Sequence, residues 1–280
     1  MPIKFSTGSL NMSDSTISNQ TNQIDQQFWN QPIADTALKN TNILISGAAG
    51  DLGSHLAEDC AACGATTILM DKNAKKLEQV FDRIVAANNP EPIICPIDLL
   101  VAQPAIYTDL YNQLTEQFGT LRGLIHCAAL FDVPSPVIDI EAQTWQQQIH
   151  VNLTAAYLLT NQLLPLLQQT GNSRIIFTSD SVARSGAAYW GAYGVAKAGL
   201  EQFAQILAEE LDSAGRVRVN TVIPGPINSH LRHTAFPAET LEERIRIEQI
   251  IPIYLRLLSE SGHVVHGQTL HAQQLIEKSS

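Results

Sequence analysis

Seven short apolar runs, separated by segments of helical length, constrain the fold of this 280-residue chain more than any other feature. Ile, Val and Thr dominate these runs, and such residues favour strands. Because parallel strands need helix-length crossovers, the pattern predicts an α/β fold: a doubly wound parallel sheet (Rossmann fold) of about seven strands with helices on both faces. The runs are 42–46, 67–70, 93–97, 123–127, 174–178, 217–222 and 268–271.

A glycine-rich turn follows the first of these runs and opens a helix-compatible segment that continues to Cys63. Glycines permit a tight turn and close approach of the backbone, while a helix N-terminus offers free N–H groups to a pyrophosphate. The turn therefore predicts a dinucleotide site, with a purely structural βα turn as the alternative. The candidate contacts are Gly47, Gly50, Asp51, Leu52 and Gly53.

An acidic residue, Asp71, and then a basic residue, Lys72, follow directly after the second apolar run. A carboxylate at this place can accept from the ribose hydroxyls of NAD and repels the extra phosphate of NADP, whereas a lysine can pair with that phosphate. We expect NAD as the cofactor, with NADP as the alternative.

A phenol and an ammonium lie four residues apart, at Tyr193 and Lys197, in a predicted helix that runs from Ala188 to Leu211. At this spacing the two side chains share a helix face. A neighbouring cation favours the phenolate and is expected to lower the pKa of Tyr193, as a proton donor or acceptor for an alcohol/carbonyl pair requires. The alternative is a half-buried tyrosine covered by a solvated lysine.

The glycine turn, Asp71 and the Tyr193/Lys197 helix together resemble the short-chain dehydrogenase/reductase family, over roughly residues 40 to 275. The chain looks most like its single-domain branch, and the segment 190–237 is similar to a subgroup of bacterial oxidoreductases with poorly defined substrates. The resemblance implies hydride transfer between a nicotinamide cofactor and a secondary alcohol or ketone, with Tyr193 as general acid/base. A catalytically silent dinucleotide-binding regulator or scaffold is the alternative.

The resemblance also assigns roles to further residues. It implies that Ser181, or less favourably Ser179, orients the substrate oxygen, since the family serine lies twelve to fourteen positions before the tyrosine. Asn152 would hold a water that links Lys197 to solvent, and Lys197 would also bind the nicotinamide ribose. The remaining cofactor contacts would be Asp98 and Leu99 at the adenine, then Ala128, Tyr193, Pro224, Gly225, Ile227 and Ser229.

Two segments depart from the family pattern. His126-Cys127-Ala128-Ala129 stands where the family usually has Asn-Asn-Ala-Gly, and Ala183-Arg184 stands where a glycine usually follows the serine. We expect His126 to be a buried neutral imidazole with a backbone partner.

The chain divides into an arm and a body. Residues 1–38 are rich in Ser, Thr, Asn and Gln, and we expect a flexible arm in which Phe28 and Trp29 dock on the body or on a neighbouring subunit. Residues 39–280 are predicted to form one catalytic domain. A polar excursion around 228–250 follows the sixth strand, where ligands bind in open sheets, and is the candidate substrate lid.

Composition narrows the partners and the location. A net charge of −10 without a basic stripe argues against nucleic acid, and no apolar stretch is long enough to span a membrane. The start lacks the apolar core of a signal peptide, so we expect a cytoplasmic protein. No compact ligand set suggests a metal, and the family resemblance implies a small-molecule substrate and a homodimer or homotetramer. Four cysteines are expected to be buried and reduced: Cys60, Cys63, Cys95 and Cys127.

Overall fold

The computed structural model describes residues 26–242 and 244–277, and its core is one parallel sheet of seven strands. The strands follow the spatial order β3-β2-β1-β4-β5-β6-β7. The predicted fold class is confirmed, and each predicted run coincides with a strand to within one residue at either end. The strands are β1 Asn42–Ser46, β2 Thr66–Asp71, β3 Ile93–Pro96, β4 Gly123–His126, β5 Ser173–Thr178, β6 Val217–Ile223 and β7 Thr269–His271.

Helices cover both faces of this sheet because neighbouring residues of the buried strands point to opposite sides. Ile43 and Ile45 of β1 belong to one apolar core, with α2, α3 and α10, while Leu44 belongs to the other, with α4, α6 and α8. The helices are α1 Gln26–Asn30, α2 Asp51–Ala62, α3 Ala74–Ala86, α4 Pro104–Gln117, α5 Ala142–Ile149, α6 Ala155–Thr170, α7 Val182–Ser185, α8 Gly191–Asp212, α9 His230–Ala235, α10 Ile251–Leu258 and α11 Ala272–Glu277.

The strand order reverses between β1 and β4. The chain winds outward from β1 to β3 and then crosses back to β4 on the other side of β1. Connections on opposite sides of the reversal leave a crevice at the carboxyl ends of the strands, which is where ligands bind in open sheets. This crevice carries the site described below.

The last part of the expected N-terminal arm packs on the body. Trp29 on α1 and Leu38 are buried in the apolar core, and the N–H of Leu38 donates to the carbonyl of Cys63. The guanidinium of Arg256 lies over the ring of Phe28 and also donates to the carbonyl of Gln31. Phe28 and Trp29 therefore dock on the body of the same chain, and the body extends to residue 26. Residues 1–25 of the arm lie outside the described residues.

The excursion around 228–250 is organised by ion pairs. Glu239 accepts from both Arg232 on α9, at 2.6 Å, and Arg244, at 3.2 Å. Ile245 pairs with Ile227, so the far end of the excursion returns to the segment that follows β6. Across the part of the chain that the structure describes, no helix is both long and apolar enough to cross a bilayer.

Candidate active site

A cavity of about 480 Å³ opens at the carboxyl ends of the strands. Its wall includes every residue predicted to bind the cofactor, together with Ser181, Tyr193 and Lys197. Asn152 is the one predicted site residue outside this wall, and its neighbour Val151 contributes there instead. The structure thus brings together residues that the sequence spreads over nearly two hundred positions.

The glycine turn forms one end of the cavity and is shaped by close backbone contacts. Gly47 has a φ of +76°, and a Cβ there would lie 2.6 Å from the backbone nitrogen of Ala128 at the end of β4. A Cβ on Gly53 would lie 2.1 Å from the carbonyl oxygen of Gly47. Gly50 precedes α2 without a capping side chain, so the N-terminus of that helix is open to the cavity.

The candidate lid is joined to this turn by one short hydrogen bond. The backbone N–H of His230, the first residue of α9, donates to Asp51 Oδ2 at 2.6 Å. Asp51 and the start of α9 are therefore held next to each other in the wall of the cavity.

Acidic side chains follow β2 and β3 at the same end. Asp71 Oδ2 accepts from the N–H of Ala49 in the glycine turn, and its Oδ1 accepts from the N–H of Asn73. Lys72 is exposed at the rim. Asp98 Oδ1 accepts from the N–H of Leu100, which fixes the carboxylate in the wall. Both carboxylates are thus oriented by main-chain donors.

Tyr193 and Lys197 lie side by side on α8, each only 3% exposed. Lys197 Nζ donates to the carbonyl of Thr178 at 2.9 Å and lies 5.5 Å from the centre of the Tyr193 ring. Burial disfavours the charged ammonium and lowers the pKa of Lys197 to about 8. The ammonium is therefore held at the carboxyl end of β5, close to the phenol but bonded to the backbone.

The hydroxyl of Tyr193 faces the carboxylate of Asp180 and not the hydroxyl of a serine. The hydroxyl of Tyr193 donates to Asp180 Oδ2 at 3.4 Å. Burial raises the pKa of Tyr193 well above its ordinary value, and the charge and hydrogen bond of Asp180 raise it further. The predicted lowering of the Tyr193 pKa is therefore wrong, because burial and Asp180 both favour the neutral phenol.

The two candidate serines turn away from Tyr193. Ser181 is exposed, and its hydroxyl donates to Asp180 Oδ1, while Ser179 donates to Glu201 Oε1 at 2.7 Å. The geometry does not favour the orienting role expected for Ser181. Asp180 lies thirteen residues before Tyr193, in the middle of the range of twelve to fourteen positions where the family serine lies. This spacing is the sequence signal that could have identified Asp180 as the residue beside Tyr193.

An aromatic cluster packs around Tyr193, and Trp190 and Tyr193 of this cluster line the cavity. Phe131 stacks on Trp190 with ring centres 4.8 Å apart and meets the Tyr193 ring edge-on at 5.2 Å. Phe236 of the lid approaches Trp190 at 5.9 Å. These rings come from three separate segments, and no sequence motif links them to the site.

Asn152 lies in a turn of π-helix, His150–Thr154, that interrupts the helical run between α5 and α6. Its amide donates to the carbonyls of Leu130 and Gln148, and its Oδ1 accepts from the N–H of Leu130. The helical run is therefore irregular at Asn152. Its side chain fixes the loop after β4, which carries Phe131 and the adjoining cavity wall.

The segment after β6 forms another part of the cavity wall. Gly225 has a φ of +84°, and the hydroxyl of Ser229 accepts from the N–H of Arg232 at the start of α9. Pro224, Gly225, Ile227 and Ser229 all line the cavity, as predicted. Ser229 thus begins the candidate lid.

His126 is buried and stacks on Phe177 with the ring centres 4.7 Å apart. Burial, with a smaller effect of Lys197, lowers its pKa to about 3, so the predicted neutral imidazole is confirmed. Its partner is the hydroxyl of Thr160 at 2.9 Å, not a backbone group.

The cysteines are free thiols. Burial raises the pKa of Cys95 and of Cys127 to about 11. Within residues 26–242 and 244–277, no three or more His, Cys, Asp or Glu side chains cluster so that they could hold a metal ion.

These residues fit a nicotinamide dinucleotide. At one end, Gly47 and Gly53 leave room that a Cβ would fill, beside the open N-terminus of α2. The Asp71 carboxylate lies at the end of β2 beside the glycine turn, and Tyr193 and Lys197 line the same cavity next to the carboxyl end of β5. The fold and the site thus define a dinucleotide-dependent oxidoreductase of the α/β class.

A model of the short chain dehydrogenase family matches residues 41–240, and the chain belongs to this family. It is an NAD(P)-dependent oxidoreductase. The chain is 35% identical over 243 residues to the uncharacterized oxidoreductase YciK of Escherichia coli (strain K12), covering 87% of this chain and 95% of that protein.

Two solved structures with bound dinucleotide are similar to it. One, from Escherichia coli CFT073 in complex with NADPH, is 34% identical with a TM-score of 0.83, covering 86% of this chain and 99% of that one. The other, from Shigella flexneri 2a str. 301 in complex with NADP, is 33% identical with a TM-score of 0.81, covering 86% and 100%. The predicted resemblance to poorly characterised bacterial oxidoreductases is confirmed.

Proposed function

We propose that this enzyme reduces a ketone to a secondary alcohol, with Tyr193 as the proton donor. The observation that carries the proposal is a buried phenol, neutral at physiological pH, at the end of a cavity whose other end fits a dinucleotide. A general acid must hold its proton until the substrate takes it, and burial together with Asp180 keeps the proton on Tyr193.

The residues at the Tyr193 end of the cavity have different roles in this reaction. The bound nicotinamide supplies the hydride, and Tyr193 gives its hydroxyl proton to the carbonyl oxygen. Lys197, which carries charge below about pH 8, stabilises the phenolate that is left and lies where it can also bind the ribose. Asn152 fixes the loop after β4 through its bonds to Leu130, so that the wall facing the substrate is rigid. The water link from Asn152 to Lys197 stays a prediction.

The protonation state of Tyr193 favours reduction over oxidation. A neutral phenol is ready to donate, whereas alcohol oxidation needs a phenolate, which burial and the Asp180 carboxylate disfavour. We infer that reduction is the faster direction near neutral pH.

For the cofactor we propose NADP(H), with Asp71 as the residue that weakens this preference. Two of the solved structures similar to this chain are complexes with NADPH and with NADP. Both oxygens of Asp71 accept from main-chain donors, and exposed Lys72 beside it supplies a cation for the extra phosphate. The expectation of NAD stays a prediction based on the charge of Asp71, and the contacts of Asp98, Leu99 and Ser229 with the dinucleotide are proposed.

We propose that the excursion around 228–250 acts as the substrate lid. It contributes Phe236 to the aromatic cluster and is joined to Asp51 through the His230 N–H. Its position between the glycine turn and the aromatic cluster lets one movement of α9 open both ends of the cavity.

A homodimer or homotetramer built on the long helices stays a prediction. Exposed apolar side chains on α6 and α8 support it, namely Tyr157, Val195 and Ile206, each between 46% and 54% exposed. The cytoplasmic location and the single catalytic domain with its flexible first residues also stay predictions.

A panel of ketones and aldehydes tests the function through the loss of nicotinamide absorbance with NADPH and with NADH. Dinucleotide affinity is measured separately by fluorescence. Turnover of a ketone with NADPH is the expected result. Tight dinucleotide binding without turnover of any carbonyl compound would contradict the proposal and favour the silent regulator.

A further inference from the structure

The carboxylate of Asp180 occupies the place where reduction of a ketone calls for a hydrogen-bond donor. Its Oδ2 faces the hydroxyl of Tyr193, and its Oδ1 accepts from Ser181 and from the N–H of Val182. An ionised carboxylate only accepts hydrogen bonds. It also repels the negative charge that develops on the carbonyl oxygen beside Tyr193.

No protein cation neutralises this carboxylate in an ion pair. Arg184 is paired with Glu201, Arg232 is paired with Glu239, and none of the ion pairs within the described ranges includes Asp180. Lys197 interacts electrostatically with Asp180, but its hydrogen bond is to the carbonyl of Thr178. The oxygens of Asp180 are therefore left without a cationic hydrogen-bond donor from the protein at the substrate end of the cavity.

The surroundings of Asp180 match an organic cation. Tyr193, which contacts Asp180, belongs to a cluster of rings with Trp190 and Phe131. Phe236 of the lid approaches Trp190, and its own ring is covered by the guanidinium of Arg232. Aromatic faces attract ammonium groups, and a carboxylate among them adds a charge-assisted hydrogen bond. Neutral substrates would use the rings but leave the carboxylate without a partner.

We propose that the substrate is a ketone with a protonated amine on the carbon next to the carbonyl. The ammonium N–H donates to Asp180, and its positive charge lies beside the carbonyl oxygen that Tyr193 protonates. The substrate thereby supplies the cationic donor that the chain does not place there. This inference rests on the proposed function, because it concerns the same carbonyl end of the cavity.

The chemistry balances with the ammonium unchanged. The hydride forms the new C–H bond at the carbonyl carbon, the π electron pair moves to oxygen, and the proton of Tyr193 completes the hydroxyl. Tyr193 then regains a proton from solvent, and the product is an amino alcohol that is still cationic. Asp180 binds but does not exchange a proton, so it determines specificity.

Two ketones of nearly equal shape test the proposal: α-dimethylaminoacetophenone, which is cationic, and isovalerophenone, in which a CH replaces the protonated nitrogen. Their affinities are measured calorimetrically on the full chain loaded with NADP, which cannot deliver hydride. Asp180→Asn removes the charge and keeps an acceptor for the N–H of Val182. Asp132→Asn, which removes an exposed acid next to Phe131, is the matched control.

The wild-type chain is expected to bind the aminoketone about tenfold to a hundredfold more tightly than isovalerophenone. Asp180→Asn should bring the two affinities within about threefold, whereas Asp132→Asn should leave the ratio unchanged. Equal binding of the two ketones by the wild type, or a ratio unaffected by Asp180→Asn, would overturn the proposal.

Turnover with NADPH, measured separately, keeps the two proposals apart. Preferential binding of the aminoketone without its reduction would leave the assignment of Asp180 intact and contradict the carbonyl-reductase function. Reduction of both ketones, bound with equal affinities, would support the carbonyl-reductase function and contradict the assignment of Asp180. Asp180→Ser, which introduces a hydroxyl donor, is expected to increase the reduction of isovalerophenone.

Discussion

The two ends of the cavity are built in different ways. At the glycine turn, the shape comes from the main chain: a positive φ at Gly47, close approach to Ala128, and carboxylates held by backbone N–H groups. At the Tyr193 end, the shape and charge come from side chains that meet from distant segments, including Asp180, Trp190 and Phe131. A backbone-built site recognises what the whole family shares, whereas a side-chain-built site can change with single substitutions.

The largest effect should follow from disturbing the backbone-built end. Gly47→Ala places a Cβ 2.6 Å from the nitrogen of Ala128 at a φ of +76°. Strain and overpacking together should lower the free energy of unfolding by about 2 to 5 kcal/mol and abolish dinucleotide binding. Denaturant unfolding and NADPH titration measure the two effects.

Gly171→Ala is the matched control for this change. Gly171 has a similar φ of +78° at the end of α6, but a Cβ there would meet nothing within 4 Å. Gly171→Ala should lower the free energy of unfolding by only about 1 to 2 kcal/mol, from backbone strain alone, and leave NADPH binding intact. Equal losses in the two variants would show that close packing at the glycine turn does not matter.

A second prediction concerns the buried charge at the Tyr193 end. The pKa of Lys197 falls from 10.5 to about 8 on folding. Between these values the unfolded chain holds a proton that the folded chain has lost, so the contribution of Lys197 to stability rises with pH and is least favourable below about pH 8.

Denaturant unfolding at several pH values checks this sign. The free energy of unfolding of the wild type, relative to Lys197→Met, should rise by about 2 kcal/mol from about pH 8 to pH 10. Lys75→Met, at an exposed position of α3, serves as the control. A wild-type minus Lys197→Met difference that is flat with pH would contradict the buried ammonium.

A smaller effect is expected at the rim of the backbone-built end, where side-chain charge alone separates the cofactors. Lys72→Ala should lower the ratio of kcat/KM for NADPH over NADH by about threefold to tenfold, since an exposed pair is weak. Asp71→Asn should raise the same ratio by a similar factor. Lys76→Ala is the control. A preference for NADH in the wild type that is also found in Asp71→Asn would contradict NADP(H) as the cofactor.

The same contrast explains what the sequence could predict. Apolar runs at helix-length intervals and glycine spacing report backbone geometry directly, so the sheet, the turn and the cavity residues from Gly47 to Ser229 can be predicted from the sequence. The position of Asp180 and the neutral state of Tyr193 depend on which side chains meet and how deeply they are buried. Local pattern carries little of that information, so the sequence favours Ser181 over Asp180 and predicts a lowered pKa for Tyr193 where burial and Asp180 raise it.

The central claim is that Tyr193, and not a neighbouring serine, transfers the proton in this cavity. Tyr193→Phe and Ser181→Ala are compared in the reduction of one ketone at saturating NADPH, with NADPH affinity measured for both. Tyr193→Phe should lower kcat by about a hundredfold to ten-thousandfold with unchanged affinity, and Ser181→Ala by less than about threefold. Full activity in Tyr193→Phe, or an equal loss in Ser181→Ala, would contradict the account.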